Sequence, residues 1–142
     1  MSETVDIKAI NRDVVQQFRA NGGRVLEGRF AGSRLLLLTT KVAKSGNERV
    51  NPMMYATPGG ETVVFASKNA APNNPDWYHN LVAHPDVMVE IGDERYTATA
   101  FVTQGAERER LWAESVRAFP FLADMQAKTK RQIPLVKLVR KG

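Results

Sequence analysis

A lysine and an arginine flank a short turn that follows a strongly apolar stretch of the chain. Residues 35–40 are four leucines followed by two threonines, a run that predicts a buried strand. Ser45, Gly46 and Asn47 come next, and these residue types favour a tight turn because glycine and asparagine tolerate positive φ. Residues 50–56 predict a returning strand, so this part of the sequence predicts a β-hairpin.

Lys44 and Arg49 stand on either side of this turn, where both side chains can reach one oxyanion. Lysine offers a point charge and arginine a planar fork of donors, and this combination suits a phosphate. Backbone N–H groups at Ser45 and Gly46 can add an anion-binding nest, and Lys41 can extend the basic patch. The alternative is two solvated charges on a hairpin that binds nothing.

A second group of polar and aromatic residues follows the next predicted strand, Ser67-Lys68-Asn69 and Asn73-Asn74-Pro75-Asp76-Trp77-Tyr78-His79-Asn80-Leu81. Asn80 comes three residues after Trp77, so both lie on one side of a predicted helix. Without a ligand, solvation of a strand end accounts for Ser67 and Lys68, and core packing accounts for Trp77 and Tyr78.

The returning strand contains an irregular dipeptide, Asn51-Pro52. Proline lacks a backbone N–H and therefore removes a hydrogen bond from a sheet. Such an irregularity can leave backbone groups free beside a ligand, although it is also compatible with an ordinary strand that enters the sheet there.

Taken in order, these motifs resemble the deazaflavin-dependent nitroreductase family, small oxidoreductases that use coenzyme F420. The shared signature is a Lys-[Ser/Thr]-Gly hairpin, Arg-Val-Asn-Pro, a Ser-Lys pair that closes a strand, and Asn-Pro-x-Trp-Tyr-x-Asn-Leu. The resemblance covers roughly residues 34 to 140. It implies a split β-barrel related to flavin-binding barrels, a mainly β fold with peripheral helices.

The resemblance also implies a coenzyme site. In the family, the lysine and arginine bind the phosphate and acidic tail of the coenzyme, which is a lactyl-phosphate followed by several glutamates. The next segment lines the deazaflavin ring with backbone groups, the second lysine contacts the polar side of the coenzyme, and the asparagine bonds its phosphate end. The implied cofactor-binding residues are Lys44, Ser45, Gly46, Arg49, Val50, Asn51, Pro52, Met53, Ser67, Lys68, Pro75, Trp77, Tyr78 and Asn80.

An apolar substrate pocket is expected beside the ring, formed by Met54, Phe119, Leu122 and Met125. Some relatives carry tyrosines in these segments, and this chain offers no tyrosine proton donor there. Ser67 would orient the substrate. The implied activity is hydride transfer from reduced F420 to an electron-poor hydrophobic acceptor, such as an enone, a quinone or a nitroaromatic. The alternatives are an FMN-dependent split-barrel oxidoreductase, a basic barrel that binds single-stranded nucleic acid, and a protein that carries the coenzyme without turnover.

Composition limits the remaining classes of function. The chain has 142 residues, enough for one domain, and 20 basic against 15 acidic residues, which favours an anionic partner. It has no cysteine, which excludes disulfides, thiolate-bound zinc and iron–sulfur clusters. His79 and His84 do not share a helix face, so we expect no metal site. No signal peptide or spanning segment is visible, which predicts a cytoplasmic protein and leaves membrane contact open.

The elements that must position these residues follow from periodicity. We expect an N-terminal unit, residues 1–23, in which helix 6–20 ends at Asn21-Gly22-Gly23 and serves as a surface helix or a lid. A barrel unit, residues 24–142, would contain strands at 35–40, 50–56, 62–67, 87–91, 95–102 and 134–139. Residues 24–30 predict a short edge strand or a loop.

Helices are expected at 75–83, 106–118 and 121–125, and no internal repeat is apparent. Asn74 is the predicted N-cap of the first of these helices, with Pro75 at its first position. Its inner side would carry Trp77, Leu81 and Val82. The turn Thr57-Pro58-Gly59-Gly60 predicts that the first three strands form successive antiparallel pairs.

Overall fold

The computed structural model describes residues 7–28, 31–32, 34–68 and 71–141. The first residue of the predicted helix 6–20, the end of the segment 24–30, and Asn69 lie outside these ranges. The elements in the described residues are α1 Ile7–Ala20, β1 Leu35–Lys41, β2 Glu48–Met54, β3 Thr62–Phe65, α2 Asp76–Ala83, β4 Asp86–Ile91, β5 Glu94–Val102, α3 Gly105–Ala118, α4 Phe121–Ala127 and β6 Leu135–Arg140.

The first two strands form the predicted hairpin. β1 and β2 pair in antiparallel register from Leu35 opposite Met54 to Lys41 opposite Glu48. Residues 35–40 are buried, as their continuous apolarity predicts. The side chains of Leu36 and Leu38 join the core inside the barrel, whereas Leu35 and Leu37 face outward beneath α1.

Within the described residues, six strands form one sheet in the order β2-β1-β4-β5-β6-β3. All of its paired strands are antiparallel. The two end strands meet at one isolated bridge, Ala56 opposite Val63, which closes the sheet on itself at that point. The fold is therefore a split barrel, and the predicted fold class is confirmed.

The prediction that the first three strands pair in succession is wrong for the third strand. β3 pairs with β6 along its whole length, from Thr62 opposite Leu138 to Phe65 opposite Leu135. The predicted turn forms a 3-10 helix, Pro58–Gly60, which brings β2 and β3 together at the Ala56–Val63 bridge. Beyond that bridge the two strands form no ladder in the described residues, because the other edge of β3 pairs with β6.

Helix α1 packs on the outer face of β1 and β2. Val14 and Phe18 are buried against Leu35 and Leu37. The helix ends through Gly23, whose N–H bonds the carbonyl of Phe18 at 2.8 Å and whose φ is +92°. Both observations fit a glycine-dependent helix end, as the sequence predicts.

Two further contacts attach the end of α1 to the β4–β5 hairpin. The Arg19 guanidinium binds both carboxylate oxygens of Glu90, at 3.1 and 2.8 Å. The backbone at Gly23 lies so close to Gly92 that a Cβ added at Gly23 would stand 2.6 Å from the Cα of Gly92. Glycine is therefore required at position 23 by space as well as by φ.

The helices α3 and α4 lie on the other side of the split. Leu111 and Phe119 pack with Val63 and Leu135 on the outer faces of β3 and β6. The two covered faces flank the opening between β2 and β3, with α1 on one side and α3 on the other.

Three smaller predictions, those for Asn74, Val82 and the bounds of β2, also need correction. Asn74 is not the N-cap of α2: Pro75 occupies that position, and the Oδ1 atom of Asn74 accepts a hydrogen bond from Arg131 instead. Val82 is 56% exposed and does not lie on the inner side of α2. β2 begins and ends two residues earlier than predicted. For the segment 24–30, the described residues 24–28 form no strand, which agrees with the loop alternative.

The ion pair between α1 and β4 can be tested by mutation. Changing Arg19 to Gln leaves the carboxylate of Glu90, 11% exposed, without its partner. The expected loss of unfolding free energy is about 1–2 kcal/mol, below the ~3–5 kcal/mol of a fully buried pair because Arg19 is half exposed. Urea denaturation measures it. Arg12→Gln, on the exposed side of the same helix, is the control, and an equal loss in both variants would contradict the assignment.

Candidate active site

The two cations singled out in the sequence lie on one hairpin. Lys44 is exposed in the β1–β2 loop (residues 42–47), and Arg49 is exposed near the start of β2, opposite Thr40. The Arg49 guanidinium donates to the carbonyl of the neighbouring Glu48 at 3.1 Å. Lys41, at the end of β1, is also exposed, so this end of the barrel carries several positive charges.

The backbone of the β1–β2 loop is largely satisfied by its own turn. The N–H of Gly46 bonds the carbonyl of Val42 at 2.8 Å, and the N–H of Asn47 bonds the Ser45 hydroxyl at 3.2 Å. The predicted nest therefore cannot use the N–H of Gly46, and the hydroxyl of Ser45 is engaged. Anion binding at this loop must rest mainly on the lysine and arginine side chains.

Asn80 holds the beginning of this loop in place. The side chain is buried, its Nδ2 donates to the Thr40 hydroxyl at 3.3 Å, and its Oδ1 accepts the N–H of Ala43 at 3.3 Å. The His84 ring adds a contact of 3.4 Å from Nε2 to the Ala43 carbonyl. Because both ends of the amide bind protein groups, Asn80 positions the loop here; its expected bond to a coenzyme phosphate stays a prediction.

The segment Val50 to Met53 forms an open strand edge. β2 pairs with β1 along one edge. Along the other edge, the described residues form one bridge, between Ala56 and Val63. Its side chains alternate, with Val50 and Met54 packed toward α1 and Met53 packed into the barrel core. Pro52 is tolerated because an edge strand can lack one donor.

Ser67 and Lys68 lie across the split from this edge. Pro52 and Ser67 are each four residues from the Ala56–Val63 bridge, on the side where the strands diverge. Ser67 is half-buried and Lys68 is exposed. Lys68 has a φ of 44°, and within the described residues no other residue except glycine has a positive φ. Such strain in a non-glycine residue often marks a functional site.

Arg131 is a residue that the sequence analysis missed. Its guanidinium is half-buried and binds acceptors on both sides of Lys68, and Lys68 itself is not among them. Burial lowers the pKa of Arg131 from its ordinary value. Nothing in the sequence distinguishes it from the neighbouring Lys128 and Lys130, because its partners lie about 60 residues away in the chain.

The aromatic residues of α2 lie against the barrel core. Trp77 and Tyr78 are half-buried and pack on the core inside the barrel, and Pro75 is buried. The Tyr78 ring also meets the ring of His79 at 5.6 Å. Core packing accounts for these contacts, and a role of the three residues in coenzyme binding stays a prediction.

The predicted pocket residues are divided between the two sides of the split. Met54 packs toward α1, whereas Phe119 packs with α3 and meets the Phe65 ring edge-on at 6.4 Å. Met125 is half-buried, and Leu122 is 1% exposed. Leu122 is therefore buried and does not line an open surface in this structure.

A cavity of about 450 Å³ lies at the other end of the barrel, lined in part by Val25, Leu35, Tyr55 and Ile91. Leu35 begins β1, whereas the cationic loop follows the end of that strand. None of the predicted site residues is among the described residues that line the cavity.

These features define a class: a split-barrel protein whose end strands leave an open edge, with exposed cations at one end of that edge. A profile of the F420H(2)-dependent quinone reductase family matches residues 10–140, and the chain belongs to this family. The predictions of an F420-dependent reductase and of F420 as its coenzyme are thereby confirmed.

Individual relatives and solved structures support the same family assignment. An F420H(2)-dependent quinone reductase of Mycobacterium tuberculosis is 34% identical over 128 residues, which are 87% of this chain and 85% of the relative. The solved structure of an F420-H2 dependent reductase, FDR-A, shares 40% identity over 74% of this chain and 93% of its own, with a TM-score of 0.68. A solved domain-swapped dimer shares 34% identity over 89% and 95%, with a TM-score of 0.70. In this chain, none of the described helices is long and apolar enough to span a bilayer.

The structural role of Asn80 can be tested apart from any ligand. Asn80→Ala leaves the N–H of Ala43 and the Thr40 hydroxyl without their buried partner, and we expect a loss of about 1–3 kcal/mol of unfolding free energy. Urea denaturation measures that loss, and hydrogen exchange should show faster exchange at the amide of Ala43. His79→Ala, at the exposed neighbouring position, is the control. Unchanged exchange at Ala43 would contradict the role.

Proposed function

We propose that this protein reduces a planar, hydrophobic quinone with reduced F420. The coenzyme would bind along the open edge of β2, with its anionic tail at the β1–β2 loop. The observation that carries the proposal is the exposed cationic loop that adjoins an unpaired strand edge. The names of the family and of the relatives support a quinone as the acceptor.

The donor groups at this end of the barrel fit the tail of the coenzyme. Lys44 and Arg49 are exposed, and in the described residues neither forms an ion pair with a carboxylate. Lys68 adds a third exposed cation across the split. A phosphate followed by glutamates needs several positive charges in succession, and each charge-assisted hydrogen bond contributes roughly 1.5–3 kcal/mol when it is desolvated.

The edge of β2 fits a flat heterocycle with a polar rim. Its unpaired backbone groups can donate to and accept from such a rim, while half-buried Val50 and Met54 offer apolar contact. Phe65 and Phe119, on the other side of the split, give a second apolar wall. A hydrophobic acceptor would be held between these walls, away from water, which strengthens the polar contacts in the groove.

When it is bound, reduced F420 supplies the hydride. The protein residues bind the partners, orient them and handle the proton. The half-buried Ser67 hydroxyl can donate a hydrogen bond to a carbonyl oxygen of the acceptor, which favours negative charge on that oxygen. The segment 119–125 contains no tyrosine, and the proton source that we propose is water or the Ser67 hydroxyl.

Titration of the purified protein with F420 and with FMN tests the coenzyme. We expect saturable F420 binding that weakens as salt increases, because the contacts are charged. Turnover of reduced F420 with quinones is then compared with turnover with enones and nitroaromatics. Tight binding of FMN without binding of F420 would overturn the proposal in favour of an FMN-dependent enzyme, and equal turnover of all acceptors would remove the preference for quinones.

The assignment of the β1–β2 loop to the anionic tail has its own test. Lys44→Ala should raise the dissociation constant of F420 by about tenfold or more, since one charge-assisted contact is lost. Lys128→Ala removes the same charge from an exposed position at the end of α4 and should change the constant little. Fluorescence titration measures both. Equal affinities of wild type and Lys44→Ala would remove the loop from the site.

A further inference from the structure

One guanidinium bonds both halves of the connection between β3 and α2. The Nη1 and Nη2 atoms of Arg131 donate to the carbonyls of Ala66 and Ser67 at 3.0 and 2.7 Å. Its Nε donates to the carbonyl of Ala71 at 2.9 Å, and Nη1 also donates to the Oδ1 of Asn74 at 2.7 Å. In the described part of the chain, no carboxylate pairs with Arg131, and the hydrogen bonds of its guanidinium go to residues of this connection.

These acceptors bracket Lys68, whose backbone is strained. A φ of 44° places Lys68 in the left-handed region, which is unfavourable for a residue with a Cβ. The conformation needs support from its surroundings. Ladder pairing with β6 reaches Ala66, whose N–H bonds the carbonyl of Pro134, and the turn bond from the N–H of Ala71 to the carbonyl of Lys68 is 3.0 Å long. Arg131 binds on both sides of this turn.

We propose that Arg131 is a positioning residue for F420 binding: it holds the strained Lys68 turn so that the lysine side chain and Ser67 face the split. This inference rests on the proposed function, because it assigns Lys68 to the coenzyme. Arg131 itself touches neither the coenzyme nor the acceptor. It acts through the backbone of residues 66–68 and 71–74.

The same guanidinium also fixes the start of α2. Asn74 precedes Pro75, the N-cap of α2, and α2 carries Asn80, which holds the β1–β2 loop. Arg131 is thus attached directly to the Lys68 turn and, through α2, indirectly to the loop of Lys44. The direct effect is the one that the proposal concerns.

Arginine suits this task better than lysine. The acceptors lie in several directions around a planar group, and a guanidinium has five N–H donors in a fixed geometry. A lysine ammonium keeps the charge, but its donors radiate from one atom and cannot reproduce the same set. Arg131→Lys therefore separates charge from geometry, whereas Arg131→Gln removes the charge.

The first experiment measures the local stability of the turn at Lys68 in the absence of the coenzyme. Hydrogen exchange of the Ala71 amide is compared in wild type, Arg131→Lys and Arg131→Gln, with Arg95→Gln as a control at an exposed position on β5. We expect exchange at Ala71 to be faster by on the order of tenfold in both Arg131 variants, with the exchange of core strand amides unchanged. Unchanged exchange at Ala71 in either folded Arg131 variant would overturn the proposal.

The second experiment is a double-mutant cycle on F420 affinity. Arg131→Lys and Lys68→Ala should each raise the dissociation constant by on the order of tenfold, and the double variant should show much less than the product of the two effects. Once the Arg131 change has displaced Lys68, removal of the Lys68 side chain should weaken F420 binding little further. A full product of the two effects would mean that Arg131 does not act through Lys68, and would also overturn the proposal.

The two experiments separate this inference from the proposed function. If wild type binds no F420, the proposed function fails, and the inference that rests on it falls with it even when Ala71 exchange responds. If wild type binds F420 and Ala71 exchange does not respond, the proposed function stands and the positioning role is overturned. Arg131→Lys keeps the test available if Arg131→Gln fails to fold.

Discussion

Among the described residues, one isolated bridge between Ala56 and Val63 closes the sheet on itself. At this pair the two end strands of the sheet meet, and on one side of it they diverge without a ladder in the described residues. Unpaired backbone groups at a sheet edge are costly when buried and invite pairing when exposed. In this fold the divergence leaves β2 with an edge that a small polar molecule can complete, and apolar faces covered by α1 and α3 flank it. The split is therefore the least paired join of the described sheet, and it is the place where we propose that the coenzyme binds.

Because the sheet is open here, the backbone groups beside the opening need hydrogen-bond partners from outside the sheet. Ladder pairing ends near Ala66, and in the connection that follows the Arg131 side chain donates to the carbonyls of Ser67 and Ala71. The β1–β2 loop likewise depends on a buried amide, that of Asn80. The Arg131 side chain is cationic and the Asn80 side chain is neutral, yet both bind backbone groups. In the described residues, the exposed cations Lys44, Arg49 and Lys68 form no ion pair with a carboxylate. Charge for the ligand and support for the backbone are thus supplied by different residues.

Much of the fold follows from local patterns. The continuous apolar run of β1 and the glycine end of α1 each place an element within a residue or two. The pairing of β3 does not follow, because a strong turn signal at Pro58–Gly60 favours the sequential neighbour, whereas burial of Val63 and Leu135 favours β6.

At the site, the cations and the strand edge follow from residue type and spacing. Arg131 does not, since its contacts span about 60 residues and an arginine before a strand ordinarily predicts solvation. The same contact takes Asn74 away from its expected capping role.

The close approach of Gly23 and Gly92 limits how α1 can move. The close approach of the two backbones and the Arg19–Glu90 ion pair beside them join the carboxyl end of the helix to the β4–β5 turn at one corner. The helix cannot swing outward about its amino end without breaking that corner. A movement of α1 that preserves this corner would pivot there and displace the amino-terminal turns of the described helix.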